Sequence, residues 1–177
     1  VPGVPIREGC EADIEVLLDI ERRAAALLLG HGGCDVFAMH SLSPHNLMEG
    51  IESGILRVAE ADGAAVGFAL CGTVDGHAHL FEMDVLPEHG RRGIGGALLQ
   101  SVCDAAGARG LAAMTLTTLR AVPWNAPFYA SRGFVEICDE EWGTELSAIV
   151  DRERMLGFPV ESRVVMRVRL PSPPGRR

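Results

Sequence analysis

Residues 87–99 read PEHGRRGIGGALL. Four glycines, two arginines and a histidine stand directly ahead of an apolar series, Ile94, Leu98, Val102 and Ala105, that has the spacing of one helix face. Upstream, AHLFEMDVL (78–86) reads as a strand that ends at Pro87. The order is therefore strand, glycine-rich turn, helix. That order aims backbone N–H groups at an anion, because a helix start has unpaired N–H groups and partial positive charge. Glycine lets the chain approach an anion closely, since no Cβ intervenes. Each hydrogen bond to a charged oxygen contributes roughly 1.5–3 kcal/mol, and the helix dipole roughly 0.3–1 kcal/mol.

Two phosphate-binding patterns are excluded. A Walker loop requires Gly-Lys-Ser/Thr, and the chain contains no lysine. A dinucleotide fingerprint requires a third glycine at position 98, which is Leu98, and it sits on an early βαβ unit rather than after a run of strands. A glycine-rich helix start with no ligand stays open on these residues alone.

Outward from this stretch, residues 4–8 read as a first strand. Residues 11–29 read as a helix with Ile14, Leu17, Leu18, Ala25 and Leu28 on one face, broken by Gly30-His31-Gly32-Gly33. Ser43-Pro44 starts a second helix that Gly54 stops. Residues 55–60 and 64–72 are strands around an Asp62-Gly63 turn. Residues 112–119 form a strand, Asn125 caps a short helix over 126–132 that stops at Gly133, and residues 134–138 form another strand. A charged helix over 143–157 and a strand over 163–170 follow, with Val164, Met166, Val168 and Leu170 on one strand face. The reading is one α/β (α+β) domain over 1–170 with a mixed, mostly antiparallel sheet and flanking helices. Residues 171–177 form a flexible tail.

Composition narrows the function. The 177 residues carry a net charge of -8, the reverse of a general nucleic-acid binder. No apolar run has the length of a membrane span, and no segment has the layout of a signal peptide. The five cysteines, Cys10, Cys34, Cys71, Cys103 and Cys138, are scattered and odd in number, which fits a reduced, cytoplasmic protein without a disulfide framework. No spacing among His31, His40 and His45 supports a metal. The absence of lysine excludes a Schiff-base mechanism.

VLPEHGRRGIGGALL (85–99) resembles the acyl-CoA-binding motif of the GNAT superfamily of N-acetyltransferases: a strand ending in Val-x-Pro, then Gln/Arg-x-x-Gly-x-Gly/Ala at a helix start. Gly90-Arg91-Arg92-Gly93-Ile94-Gly95 match those six positions, with Gly90 where Gln or Arg is usual. NAPFYASRGF (125–134) resembles the superfamily's later motif, a tyrosine-bearing helix followed by Gly-Phe and a strand. The usual asparagine seven residues before the tyrosine is Val122 here, while Asn125 stands four before. The wider run is similar to a bacterial branch of small members.

The resemblance implies a GNAT-like fold and acetyl-CoA as co-substrate. Met83, Asp84, Val85, Gly90, Arg91, Arg92, Gly93, Ile94, Gly95, Gly96 and Asn125 would hold the donor. A backbone N–H near Val85, where the strand splays from its neighbour, would hold the acetyl carbonyl. Tyr129 would be the general acid and Glu82 the base, with His79 and then Asp84 as further base candidates. The acceptor would be the primary amine of a small molecule, attacking directly, with no metal, nucleic acid or membrane involved. A non-catalytic acyl-CoA-binding module and a protein N-terminal or lysine acetyltransferase stand as alternatives. Dimers are common in the superfamily, so a homodimer stays open.

Overall fold

The structure is a computed structural model, and it describes residues 4–29, 41–53 and 55–171. The elements run β1 (Ile6–Glu8), α1 (Ile14–Ala25), α2 (Pro44–Ser53), β2 (Leu56–Ala61), β3 (Ala64–Val74), β4 (His77–Val85), α3 (Ile94–Ala108), β5 (Ala113–Leu119), α4 (Ala126–Ala130), β6 (Val135–Glu136), α5 (Thr144–Met155) and β7 (Arg163–Arg169). The seven strands form one sheet in the order β1-β2-β3-β4-β5-β7-β6. The β1–β2, β2–β3, β5–β7 and β6–β7 pairs are antiparallel and β4–β5 is parallel, so the sheet is mixed and mostly antiparallel, as expected. The break over Gly30–Gly33, the stop at Gly54 and the tail after Pro171 lie outside the described residues. By contacts the chain divides into two units, Val1–Gly72 with Phe81–Ala105 and Thr73–Leu80 with Ala106–Arg177.

In the first unit, Asp62 and Gly63 both have positive φ, 53° and 79°, the turn that matches strand twist in a two-residue hairpin. At α2, the Asn46 N–H donates to Ser43 Oγ at 3.3 Å and the Ser43 N–H donates back to Asn46 Oδ1 at 3.0 Å, so the expected cap is reciprocal. Leu17, Ile20, Leu47, Leu56, Val58 and Phe68 are the buried heart of this unit. The helix expected over 11–29 is α-helical only over Ile14–Ala25, with 3-10 turns at Glu11–Asp13 and Ala26–Leu28. A 3-10 turn has three residues per turn, so a 3.6-residue phase does not carry across it. The fully buried positions of α1 are accordingly Leu17, Ile20 and Glu21, not the whole expected series.

In the second unit, a cluster of Val74, Ile137, Leu146, Val150 and Val165 packs with Trp142 and Ile149. Asp75 and Gly76 form a second positive-φ turn, 49° and 74°, that joins β3 to β4. The Asp75 carboxylate accepts the N–H groups of Glu145 at 3.0 Å and Leu146 at 2.9 Å and so caps α5 from outside its own sequence. Gly143 is needed there, because a Cβ would lie 2.2 Å from Asp75 Cγ. The single buried face expected for β7 is corrected: Val165 is buried on top of Val164 and Met166, because α5 residues Leu146 and Val150 pack with it. The strand expected over 134–138 contracts to Val135–Glu136, and Val135 is exposed.

Candidate active site

The glycine-rich stretch lies in the first unit and has a defined geometry. After β4, Pro87–His89 makes a 3-10 turn in which the His89 N–H donates to the Leu86 carbonyl at 2.8 Å and the Gly90 N–H to the Pro87 carbonyl at 3.1 Å. Arg91 then takes φ 57° and Gly93 φ 83°. A left-handed residue with a side chain is uncommon and carries strain that the surroundings must hold. The Gly93 carbonyl accepts the Ala97 N–H at 3.0 Å, which makes Gly93 the residue that starts α3. The N–H groups of Ile94, Gly95 and Gly96 belong to the first helical turn, where no intrahelical carbonyl is within reach. Arg91, Arg92 and Gly93 are exposed, while Ile94 and Leu98 are buried and anchor the helix. An Arg23–Glu88 ion pair at 2.6 Å ties α1 to the turn before the cradle.

Four expected site residues, Glu82, Met83, Asp84 and Val85, end β4 and are half-buried. Gly67 on β3 lets the neighbouring backbone close in, since a Cβ would lie 2.7 Å from the Asp84 carbonyl oxygen. The Leu86 N–H donates to the Val66 carbonyl at 2.9 Å. Burial, with the neighbouring charges of Glu82 and Glu21 adding to it, holds the Asp84 carboxyl well above the usual carboxylate range. Asp84 Oδ2 is buried without a hydrogen-bond partner.

The second unit holds Tyr129, Asn125 and His79. Tyr129 is buried on α4, with its ring edge-on to Phe128 at 5.1 Å and to Phe134 at 5.6 Å. The helix ends at Gly133, φ 86°, where the Phe134 N–H donates to the Tyr129 carbonyl at 3.2 Å and the Gly133 N–H to the Ala130 carbonyl at 3.1 Å. This double closure fixes Tyr129 against Phe134. Asn125 precedes α4 as expected but its side chain makes no capping bond, a correction of the sequence reading. Pro127 occupies the second helical position and has no N–H to cap, and Asn125 has ψ -113° rather than an extended value. The Asn125 carbonyl instead accepts the Tyr129 N–H at 3.1 Å. His79 is 1% exposed, with Nδ1 2.8 Å from Thr115 Oγ1, and the Thr115 hydroxyl donates to the Ala78 carbonyl at 3.3 Å. Burial first and the Arg163 charge second push its pKa down to about 4. A neutral, enclosed imidazole at that place is a core group of the sheet.

Residues 52–136 match the model of the acetyltransferase (GNAT) domain, a span that includes both the cradle and Tyr129. That span is a GNAT acetyltransferase domain. The fold likeness extends over nearly the whole chain. It is similar to N-acetylglutamate synthase from Neisseria gonorrhoeae, complexed with coenzyme A and N-acetyl-glutamate, at TM-score 0.73 and 20% identity, over 97% of this chain and 36% of that one. This chain thus spans about a third of that synthase. It is similar along nearly the full length of both partners to the PaiA N-acetyltransferase of Thermoplasma acidophilum, in complex with coenzyme A (TM-score 0.68, 18% identity, 94% and 99% covered). The Escherichia coli ribosomal-protein-S18-alanine N-acetyltransferase is similar to the same extent (TM-score 0.67, 21% identity, 99% and 98% covered).

Helix-start N–H groups without an intrahelical carbonyl and two exposed arginines, Arg91 and Arg92, thus meet at the start of α3. In the second unit Arg163 donates to both Glu153 oxygens at 2.8 Å and to Thr117 at 2.7 Å, beside a pocket of about 250 Å³ that Trp142 also lines. The thiols of Cys71 and Cys103 are pushed up by burial, and that of Cys138 by hydrogen bonding to Glu140, the opposite of what a nucleophile requires. Among the described residues no group of three His, Cys, Asp or Glu side chains could hold a metal ion, and no helix is long and apolar enough to cross a membrane. His31 and His40 lie outside the described residues.

One buried group was missed in the sequence. Glu21 is 6% exposed and its carboxyl is raised by burial, against a hydrogen bond from the Leu42 N–H at 2.8 Å that lowers it. Its signal was present: Glu21 stands four residues after Leu17, on the face of α1 that the apolar spacing marks as buried.

Proposed function

We propose that this GNAT domain transfers the acetyl group of acetyl-CoA to the primary amine of a small molecule, by direct attack within a ternary complex. The observation that carries the reading is the cradle: Arg91 and Gly93 held at positive φ just ahead of a helix whose first N–H groups have no carbonyl to bond. A pyrophosphate supplies the acceptors that such a turn lacks. Gly90, Arg91, Arg92, Gly93, Ile94, Gly95 and Gly96 would bind it mainly through backbone, which is why Gly90 is compatible with the site. Met83, Asp84 and Val85 would align the acyl arm by their backbone, with a Val85-side N–H on the acetyl oxygen, and Asn125 would lie along the donor. Coenzyme A in the crystals of the Neisseria and Thermoplasma proteins supports the donor class.

The amine must lose a proton before it attacks, since an alkyl ammonium has a pKa of about 10. A carboxylate at the end of β4, Glu82 or Asp84, would accept it. Tyr129 would protonate the departing thiolate, for which a phenol is suited at neutral pH. The free thiols of Cys10, Cys71, Cys103 and Cys138 support a reducing compartment such as the cytoplasm.

The first test is calorimetric titration of the full chain with acetyl-CoA, with NADH and ATP as controls. Selective acetyl-CoA binding is expected, and none in folded protein overturns the donor assignment. A thiol-release assay across small amines, a peptide N-terminus and a lysine peptide then sorts the acceptor classes. Tyr129→Phe should keep acetyl-CoA affinity while kcat falls about 10²–10⁴-fold. Unchanged kcat across the pH range would remove Tyr129 from its role, and binding without turnover of any amine would favour a sensing module.

A further inference from the structure

β4 is the middle strand of the seven, and one of its side chains departs from the rest. Ala78, His79 and Leu80 are buried and Glu82–Val85 are half-buried, while Phe81 between them is 47% exposed. Phe81 is also the first residue of β4 past its ladder with β5, which joins Ala78, His79 and Leu80 to Met114, Thr115 and Leu116. Exposure alone marks nothing, since single apolar side chains are common on protein surfaces. The support under the ring is the second observation. The ring lies against Gly72 of β3: a Cβ added there would stand 2.7 Å from Phe81 Cε2 and 3.6 Å from both Cδ2 and Cζ. A side chain at 72 would therefore push the ring away. Glycine inside a strand weakens it and marks a place where another group comes close to the backbone. Here that group is the ring, laid with one edge on β3 while the residue keeps about half of its surface in water. A phenyl held in this way is a rigid apolar wall, because an aromatic side chain has only two torsions to fix.

The third observation is where the wall stands. Phe81 precedes Val85 by four positions on one strand, roughly 13 Å at about 3.3 Å per residue. In the transferase reading above, Met83, Asp84 and Val85 align the acyl arm of the donor, and the present inference rests on that reading. An amine whose nitrogen attacks the acetyl carbon there, and whose body runs back along β4, brings that body onto Phe81. We propose that Phe81, seated on Gly72, is a specificity-determining residue for the acceptor. The acceptor is then a primary amine with an apolar body, aromatic or aliphatic, of roughly six or more carbon atoms, the length that covers this span. A shorter amine ends before it reaches the ring. An amino sugar would lose water from its hydroxyls against a ring that offers no hydrogen bond in exchange.

The test uses the full chain with acetyl-CoA. Thiol release is measured for n-propylamine, n-hexylamine, 2-phenylethylamine, 1,4-diaminobutane and glucosamine. The n-hexylamine and 2-phenylethylamine values of kcat/KM are expected to exceed that of n-propylamine about tenfold or more. The gain should lie mainly in KM, since a contact made away from the reacting atoms binds ground state and transition state alike. In Phe81→Ala the ratio of n-hexylamine to n-propylamine should collapse to about one, and in Phe81→Tyr it should stay within about threefold of the unmodified chain. Gly72→Ala keeps the phenyl but displaces it, and should lower the ratio about threefold or more while calorimetry finds acetyl-CoA affinity within about twofold. A Phe81 that serves the fold alone would slow both amines alike and leave the ratio in place, so an unchanged ratio in folded Phe81→Ala overturns the proposal. If Phe81→Ala does not fold, Gly72→Ala carries the same comparison, and an unchanged ratio there overturns it. Preference of the unmodified chain for 1,4-diaminobutane or glucosamine over n-hexylamine also overturns it, and the transferase reading survives. If acetyl-CoA binds and no amine reacts, the transferase reading fails and the acceptor role of Phe81 fails with it.

Discussion

The end of β4 and the cradle that follows are neighbours in sequence and opposites in electrostatics. Over Arg91–Gly96 the chain leaves two arginines exposed and the first N–H groups of α3 without an intrahelical carbonyl, where solvent or a ligand can answer them. At Asp84 and at Glu21 one carboxylate oxygen each, Oδ2 and Oε2, is buried where among the described residues no hydrogen-bond partner meets it. The first region is built from consecutive residues and depends on backbone. The second is assembled from α1 and β4, sixty-odd positions apart, and depends on side chains. Positive potential that stays exposed costs the fold little, whereas buried negative potential is stored in the fold and released only by a proton or a ligand.

The comparison can be broken most severely at Gly67. A Cβ there would meet the Asp84 carbonyl oxygen at 2.7 Å, a backbone atom that cannot swing away. Gly67→Ala is expected to cost about 3 kcal/mol by overpacking, read from urea unfolding. If it costs under about 0.5 kcal/mol, β4 is not held closely enough to sustain buried carboxyls. On the cradle side, Gly93 stands at φ 83° with open space where a Cβ would be, so only the backbone conformation excludes other residues. Gly93→Val should lose about 2 kcal/mol of acetyl-CoA affinity, some 30-fold by calorimetry, with the fold retained.

The pH dependence of stability separates buried acids of the two kinds. Asp13 is held down to about 2, chiefly by its hydrogen bonds from Arg7 at 2.7 Å, so its stabilisation is complete above the unfolded value and is lost as pH falls through the folded one. That arm amounts to about 2 kcal/mol between pH 5 and pH 1. Glu21 and Asp84 have raised pKa values, so the sign reverses: stability should decline as pH rises from the unfolded carboxylate range through their folded values. Chemical denaturation at a series of pH values should therefore show a rise, then a fall, and Glu21→Gln should flatten the fall and leave the Asp13 arm intact. The smallest expected effect is a gain. Gly90 has φ -59°, a conformation open to any residue, with 3.1 Å from a would-be Cβ to the Pro87 carbonyl oxygen. Gly90→Gln should tighten acetyl-CoA binding by about 1 kcal/mol, roughly fivefold, by adding one side-chain contact to a cradle otherwise made of backbone.

Local signals were legible because they act locally. Ser43-Pro44, Asp62-Gly63 and Gly133 each impose a backbone conformation on their own neighbours, and each does so in the fold. Asn125 was misread because Pro127 removes the donor a cap would need, a feature of the same five residues that propensity alone overlooks. The sequence offers Glu82 and, after it, His79 as base candidates on one strand, yet His79 is enclosed with Thr115 while Glu82 is half-buried. No sequence period distinguishes those fates, because they follow from which strand and helix come to lie against each residue.

Sequence by itself determined the mixed α/β order of elements, the glycine-rich turn at 90–96 and the short tyrosine helix between Asn125 and Gly133, since turn chemistry and apolar spacing are properties of short segments. Tertiary structure alone decided that Asp75 caps α5, that β7 is buried by Val165 as well as by its alternating face, and that Glu21 Oε2 and Asp84 Oδ2 are buried without a hydrogen-bond partner. Those facts depend on which distant groups share a low-dielectric neighbourhood, and burial is the property that a charge feels most strongly and a sequence states least.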